Sequence, residues 1–215
     1  MRLRGSRYDE IERTVISLFE NIQIESFPLD CFEICEQLGF KVIPYYSLSE
    51  KKRKACKEVS EDGFSLIIET TPGEYTYEIY YNNLMPHHRI RFTIMHEIGH
   101  IILDHSEHSD LAESEANYFA KYALAPPPLI NRLEIEDYLE LADCFDLSHE
   151  CALYSMKKYN KWLMYHHTRF LYISGFPATT EVVERLPNAC IWLLVRYALR
   201  SRCYQQRPLG YSRNI

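Results

Sequence analysis

One short segment, Met95–Leu103 (MHEIGHIIL), constrains the fold of this chain more than any other. Apolar residues at positions 92, 94, 95, 98 and 101–103 surround it on nearly all sides, which predicts a buried helix. The same helix carries His96, Glu97 and His100. Burying three such polar side chains without a partner costs free energy, and a bound metal ion is the usual reason to do so.

The spacing of these polar side chains is typical of a metal site. His96 and His100 lie four residues apart, so on a helix both imidazoles project from one face and can chelate one zinc ion at about 2.0–2.1 Å each. Glu97 lies one step round the helix, where it can reach a zinc-bound water without acting as a ligand. This is the HExxH pattern of two ligands and a general base. Gly99 costs about 1 kcal/mol relative to alanine inside a helix, and a closely approaching strand or ligand would explain it.

A catalytic zinc ion needs a third protein ligand, and the downstream segment ESEANYFAKYAL offers Glu113 and Glu115. We prefer Glu113, because it shares a helix face with Asn117, which could hydrogen-bond a ligand imidazole from behind. Glu115, turned about 200° from Glu113 on a helix, is the alternative. Three residues nearer in sequence also remain candidates, because a loop could fold any of them back: Asp104, His105 and His108.

Hydrophobic periodicity predicts helices, then a small sheet, then further helices. The predicted helices span residues 9–24, 29–38, 89–104, 111–125, 129–141 and 148–163, and the predicted strands span 40–46, 63–69 and 75–82. The last two strands are expected to form an antiparallel hairpin, and Pro44 limits the first to a sheet edge or a strand end. The basic stretch 49–57 is interpreted as a solvated connection. This order indicates an α+β fold with a small antiparallel sheet, surrounding helices and a helical C-terminal part.

Charge and composition indicate how the chain is divided into domains and where the protein is located. From residue 168 onward seven arginines oppose two glutamates, although the whole chain has a net charge of −6. We therefore predict a domain at residues 1–167 and a basic extension of unknown role at 168–215, in which residues 191–195 suggest a packed helix. No apolar run approaches the roughly 20 residues that span a bilayer, and the N-terminus lacks a secretory signal. The seven cysteines form no CxxC pair, which favours reduced thiols. We expect a cytoplasmic protein without a membrane partner.

Three segments in combination resemble the ImmA/IrrE metallopeptidases: RFTIMHEIGHIILDH, ESEANYFAKYALAP and LADCFDLSHECALYSMKKY. The resemblance covers about residues 11–162. It implies a compact, thermolysin-like zinc peptidase fold, with His96 and His100 as ligands, Glu97 as the base and Glu113 as the acidic ligand. It also implies a regulatory protease that cleaves helix-turn-helix repressors of mobile elements or of DNA-damage responses. The chain has Leu-Ala-Pro at residues 124–126, where the family usually has Leu-Met-Pro.

For the expected zinc metalloendopeptidase, the sequence leaves two features undecided: the residue that stabilises the oxyanion and the way in which the substrate binds. The tetrahedral oxyanion needs a second donor besides zinc, for which the candidates are Tyr80, Tyr81, His88, Arg91 and Tyr118. If the strand at residues 75–82 is a sheet edge, an extended substrate could add to it through main-chain hydrogen bonds.

The alternative is a DNA-binding or repressor-binding regulator with a non-catalytic zinc site. Residues 139–159 have the rhythm of a helix-turn-helix, and Lys157, Lys158 and the following Lys161 could contact phosphate. Carboxylates crowd the same region and repel phosphate, so we expect no direct contact with nucleic acid. An intact Glu97 also argues against a purely structural zinc site.

Overall fold

The computed structural model describes residues 3–24 and 26–174, with side chains described through residue 165. The described residues divide into two compact units, one of residues 3–24 and 30–124 and the other of residues 26–29 and 125–174. Most of the predicted extension at 168–215, including residues 191–195, lies outside the described residues. None of the helices described is long and apolar enough to cross a membrane.

The first unit combines helices with a three-stranded sheet, and the second is helical. The helices of the first unit are α1 (Gly5–Asn21), α2 (Cys31–Gln37), α3 (Glu50–Val59), α4 (His87–Ile102) and α5 (Asp110–Leu124). Its strands are β1 (Lys41–Pro44), β2 (Gly63–Thr71) and β3 (Glu74–Tyr81), with a 3-10 turn at Tyr45–Ser47. The second unit contains α6 (Pro127–Arg132), α7 (Tyr138–Phe145) and α8 (His149–Ser174). The predicted α+β class is confirmed.

The sheet has the strand order β1-β3-β2 and is mixed rather than purely antiparallel. β2 and β3 form the predicted antiparallel hairpin, with Ser65 opposite Ile79. β1 pairs parallel to β3, with Val42 also opposite Ile79. The chain passes from β1 through α3 to the far edge and then folds back, so β3 becomes the central strand. The proposed docking of a substrate on β3 as a sheet edge is therefore wrong, and β2 is an edge strand instead.

Two helix predictions need correction. The basic stretch 49–57 is not a loop but most of α3, because lysine, arginine, alanine and glutamate all favour helix. Only Cys56 is buried on α3, so its sequence has no apolar period to detect. The single helix predicted at 129–141 is two helices, α6 and α7. Glu134 takes a positive φ of 54° between them, and the Asp137 side chain caps α7 by accepting from two backbone N–H groups.

The cysteine prediction holds in part. Cys31, Cys35, Cys56 and Cys151 are reduced thiols that form no disulfide. Burial raises the pKa of Cys35 to about 12, so this thiol behaves as a small apolar core residue. Cys144 takes part in a disulfide, which contradicts the expectation that all seven cysteines are reduced.

The centre of the first unit is α4, which packs against α5, α2 and both strands of the hairpin. Ile94, Met95 and Ile98 are fully buried on it. The start of β2 approaches α4 so closely that a Cβ atom at Gly63 would lie 2.6 Å from Cγ2 of Thr93 on α4. The same Cβ atom would lie 2.7 Å from the carbonyl oxygen of Tyr80 on the neighbouring strand β3. Glycine at residue 63 therefore sets how near the sheet lies to the helix.

We predict that Gly63→Ala lowers the free energy of unfolding by about 1–3 kcal/mol, because a backbone carbonyl oxygen and the stiff β-branched side chain of Thr93 occupy the space of the added methyl group. The measurement is urea unfolding of the full chain. Gly5→Ala is the matched control, since nothing lies within 4 Å of a Cβ atom at Gly5. Equal losses for both variants, or no loss at Gly63, would contradict the tight contact.

Candidate metal centre

Three side chains from α4 and α5 converge on one point. The Nε2 atoms of His96 and His100 lie 3.0 Å apart. One carboxylate oxygen of Glu113 lies 3.4 Å from Nε2 of His96, and the other lies 3.3 Å from Nε2 of His100. Their ligand atoms all lie within 4.8 Å of one another, so the three residues could hold a metal ion.

The donor set fits zinc in both chemistry and spacing. Two imidazole nitrogens and one carboxylate oxygen form a ligand set that catalytic zinc sites use. Ligand atoms about 2.0–2.1 Å from one tetrahedral ion are separated by about 3.3 Å, close to the separations observed here. Burial lowers the pKa of His96, and burial together with the nearby His96 lowers the pKa of His100 to about 4. Both rings are therefore neutral near pH 7, the form in which a ring nitrogen has a lone pair for a metal.

A close approach of α4 and α5 brings the three donors together. A Cβ atom at Gly99 would lie 3.0 Å from Cδ1 and 3.2 Å from Cβ of Phe119 on α5. Glycine inside α4 is thus explained by a neighbouring helix, rather than by the strand or ligand expected from the sequence. The contact also places the first turn of α5, which carries Glu113, beside the histidines.

The structure separates the two acidic candidates on α5. Glu113 is half exposed and faces the histidines, whereas Glu115 is buried, with 5% of its surface exposed. Both Glu115 oxygens bond Arg7 of α1, at 2.8 Å from Nε to Oε1 and through Nη2 to Oε2. These hydrogen bonds lower the pKa of the Glu115 carboxyl. Glu113 is therefore the acidic residue that can complete the cluster, and Glu115 lies behind it.

His105 contacts the ring of His100, one of the candidate metal ligands. The sequence predicted this contact for Asn117. Nδ1 of His105 lies 3.0 Å from Nδ1 of His100, and its Nε2 lies 3.0 Å from Oε2 of Glu115. Asn117 instead donates to the backbone oxygen of Glu113 at 2.7 Å. The prediction fails because the loop after α4 folds His105 back onto His100, which helix periodicity cannot show.

Glu97 is held beside the cluster but outside it. Its Oε2 accepts a hydrogen bond of 2.8 Å from Oγ of Ser65 on β2. The residue is 7% exposed, and burial raises the pKa of its carboxyl to about 7, against the opposing effect of the bond from Ser65. A carboxyl with a pKa near neutrality is suited to accept and release a proton.

The cluster opens into a cavity of about 780 Å³. Its walls come from β2 and the middle of β3 at Tyr77, from α4 and α5, and from the loop between those helices. Asp104, His105, His108 and Asn117 contribute to the lining. His108 is exposed, and its Nδ1 lies 3.9 Å from Oε1 of Glu113.

The five predicted oxyanion donors lie away from this cavity lining. The phenol of Tyr118 donates to Glu12 on α1, and that of Tyr80 donates to Glu78. Arg91 is 3% exposed. His88 and Tyr81 are likewise outside the lining. The sequence thus indicated residues outside the cavity, and it gave no sign of Ser65 and Arg7, which lie far from the motif along the chain.

We predict a pH-dependent stability difference between metal-free wild type and Glu97→Gln. The folded pKa of Glu97, about 7, exceeds the ordinary value of 4.5, so its contribution to stability is fully present below about pH 4.5 and is lost as pH rises through about 7. The glutamine side chain of the variant is neutral at every pH, and its amide oxygen can still accept from Ser65. We expect the variant to be more stable by roughly 1–3 kcal/mol at about pH 8 and equally stable near pH 4.

Urea unfolding of chelator-treated protein at several pH values measures this difference. The matched control is Glu58→Gln, which removes an exposed carboxylate on α3. A difference for Glu97→Gln that stays constant with pH would show that the carboxyl is not perturbed by burial.

Comparison with known proteins places the site in a family. The family model of the IrrE N-terminal-like domain, peptidase family M78, matches residues 35–157, more than half of the chain. The match includes His96, Glu97, His100 and Glu113, and it confirms the resemblance noted in the sequence. Among curated proteins, none matches the chain. The chain therefore belongs to the peptidase family defined by the IrrE N-terminal-like domain.

Proposed function

We propose that this protein is a zinc-dependent endopeptidase whose substrate is a helix-turn-helix transcriptional repressor. The observation that carries the proposal is the convergence of His96, His100 and Glu113 beside a buried carboxyl, Glu97, at the wall of a cavity. Membership in a peptidase family supports the hydrolysis of peptide bonds. The repressor as substrate rests on the resemblance to the ImmA/IrrE metallopeptidases.

The mechanism assigns each side chain a task. His96, His100 and Glu113 would hold the zinc ion, which when bound supplies Lewis acidity to the scissile carbonyl and to the attacking water. Glu97 accepts the proton of that water on a carboxylate oxygen and delivers it to the leaving amine nitrogen. Ser65 donates to Oε2 of Glu97, so it fixes the orientation of the carboxylate.

The edge strand β2 supports binding of an extended peptide. Its outer edge lacks a strand partner among the described residues, and Phe64 to Ile67 contribute to the cavity wall. A peptide that adds to this edge through main-chain hydrogen bonds would pass next to Ser65 and Glu97. Leu66 and Ile67 are exposed and would contact apolar side chains of the substrate. Such binding selects unfolded or loop segments.

We propose His108 as the second hydrogen-bond donor to the oxyanion, besides zinc. It lines the cavity, lies 3.9 Å from Glu113 and is exposed, so its ring can turn toward a substrate carbonyl. It replaces the donors that the sequence suggested.

We predict that Glu97→Gln and Glu113→Gln separate chemistry from metal binding. Glu97→Gln should bind zinc like wild type but cleave at least ~10³-fold more slowly, because it cannot accept the proton. Glu113→Gln should lose zinc affinity, because a neutral amide replaces an anionic ligand. Zinc content and chelator competition report binding, and mass spectrometry of a proteome-derived peptide library reports cleavage. Full cleavage by Glu97→Gln, or wild-type chain that binds no zinc, would refute the proposed function.

Co-expression with a helix-turn-helix repressor encoded nearby tests the substrate. We expect repressor fragments with wild type and intact repressor with Glu97→Gln. An intact repressor that copurifies with both proteins would favour the alternative, a repressor-binding regulator without turnover. We expect no direct binding to nucleic acid in either case.

We predict that His108→Ala lowers kcat by about 10²-fold with little change in zinc affinity, as expected for loss of one transition-state donor. His87→Ala, also a histidine exchange but outside the cavity lining, is the control. Equal kcat values for the two variants would exclude His108 from the mechanism.

A further inference from the structure

A chain of hydrogen bonds leads away from the cavity on the far side of His100. It runs from Nδ1 of His100 to His105 at 3.0 Å, from His105 to Glu115 at 3.0 Å, and from Glu115 to the guanidinium of Arg7. The links span loop, α5 and α1. His105 and Glu115 expose only 10% and 6% of their side chains, and Arg7 exposes 29%. We call these three residues the relay.

The direction of each hydrogen bond follows from the last member of the relay. The guanidinium of Arg7 can only donate hydrogen bonds. The ionised carboxylate of Glu115, which accepts from Nε and Nη2 of Arg7, can only accept them. Nε2 of His105 therefore carries a proton, and its N–H donates a hydrogen bond to Glu115. A ring with its single proton on Nε2 accepts at Nδ1, so Nδ1 of His100 is the donor in this arrangement. This leaves Nε2 of His100 without a proton, with its lone pair toward Nε2 of His96 and Glu113.

The outer end of the relay is held by the N-terminal helix. Arg7 lies on α1, and α1 precedes the matched residues 35–157. Arg7 also contacts Glu10 at 2.7 Å, one turn further along α1. The phenol of Tyr118 on α5 donates to Glu12, and its ring packs edge-on against Tyr8. Two independent sets of contacts thus set the position of α1 along α5, but only one of them leads to His100.

We propose that Arg7, Glu115 and His105 are positioning residues that hold His100 in the Nδ1–H tautomer and so couple α1 to the metal site. The proposal rests on the proposed function in assigning His100 as a ligand. Carboxylates and other groups behind ligand histidines raise ligand basicity and fix ring orientation, and their loss typically lowers metal affinity 10- to 100-fold. Here the group behind the histidine is itself a histidine, and its own orientation depends on a carboxylate anchored by α1.

The first test reads the tautomer directly. Long-range ¹H–¹⁵N NMR of the metal-free full chain distinguishes Nδ1–H from Nε2–H imidazole. We expect His100 to be Nδ1–H in wild type and to populate both tautomers in His105→Phe, which keeps a ring of similar size without nitrogen atoms. Because this measurement needs neither metal nor turnover, it separates failure of the relay from failure of the proposed function. A wild-type His100 in the Nε2–H form would overturn the proposal.

The second test measures zinc affinity by chelator competition and the visible spectrum of the cobalt-substituted protein. His105→Phe and Arg7→Met should each bind zinc about 10- to 100-fold more weakly and shift the cobalt spectrum. Arg7→Lys keeps the charge and should recover part of the affinity. Because Arg7 is partly exposed, we expect Arg7→Met to fold. Its zinc affinity therefore tests the proposal even if His105→Phe does not fold.

Tyr118→Phe is the matched control for this test. It removes the bond to Glu12 in the same α1–α5 contact but lies outside the relay. It should lower stability and leave zinc affinity within about twofold of wild type. The proposal is overturned if Arg7→Met binds zinc like wild type, or if Tyr118→Phe weakens zinc binding as much as Arg7→Met does.

Discussion

Helices α4 and α5 approach each other at Gly99, where Phe119 occupies the space that a side chain at residue 99 would need. The convergence of the three candidate metal ligands depends on this approach, because His96 and His100 belong to α4 and Glu113 to α5. Protein interiors are close-packed, so a shift of either helix is transmitted to its side chains. The sheet contributes a second close approach at Gly63, which holds β2 against α4 and brings Ser65 to Glu97.

Polar groups around α4 are divided between two sides. On the cavity side, burial keeps His96 and His100 neutral and raises the pKa of Glu97. On the far side the charges of Arg7 and Glu115 neutralise each other in an ion pair. Glu115 also forms a hydrogen bond with His105. An unpaired charge near the rings would be costly, whereas a paired and hydrogen-bonded one is tolerated. Two neutral histidines and an anchored carboxylate can therefore coexist within one buried region.

Local patterns predicted much of the fold and the inner part of the site. The 3.6-residue period identified α4 and α5, and alternation with a turn signal identified the β2–β3 hairpin. Prediction failed where periodicity carries no information. Helix α3 buries one residue and shows no apolar face, and the division between α6 and α7 depends on a single positive φ at Glu134. The position of β3 in the sheet follows from the path of α3, which is a matter of topology.

The sequence by itself determined that His96, Glu97 and His100 lie on one buried helix, since their spacing and apolar surroundings are local properties. It favoured Glu113 over Glu115 by the same periodicity. Only the tertiary structure decided that Glu115 lies behind the site with Arg7, a residue 108 positions away. It also assigned the contact with His100 to His105 rather than Asn117. Such contacts depend on how a loop folds back and on how α1 packs against α5, and no spacing along the chain encodes either of these.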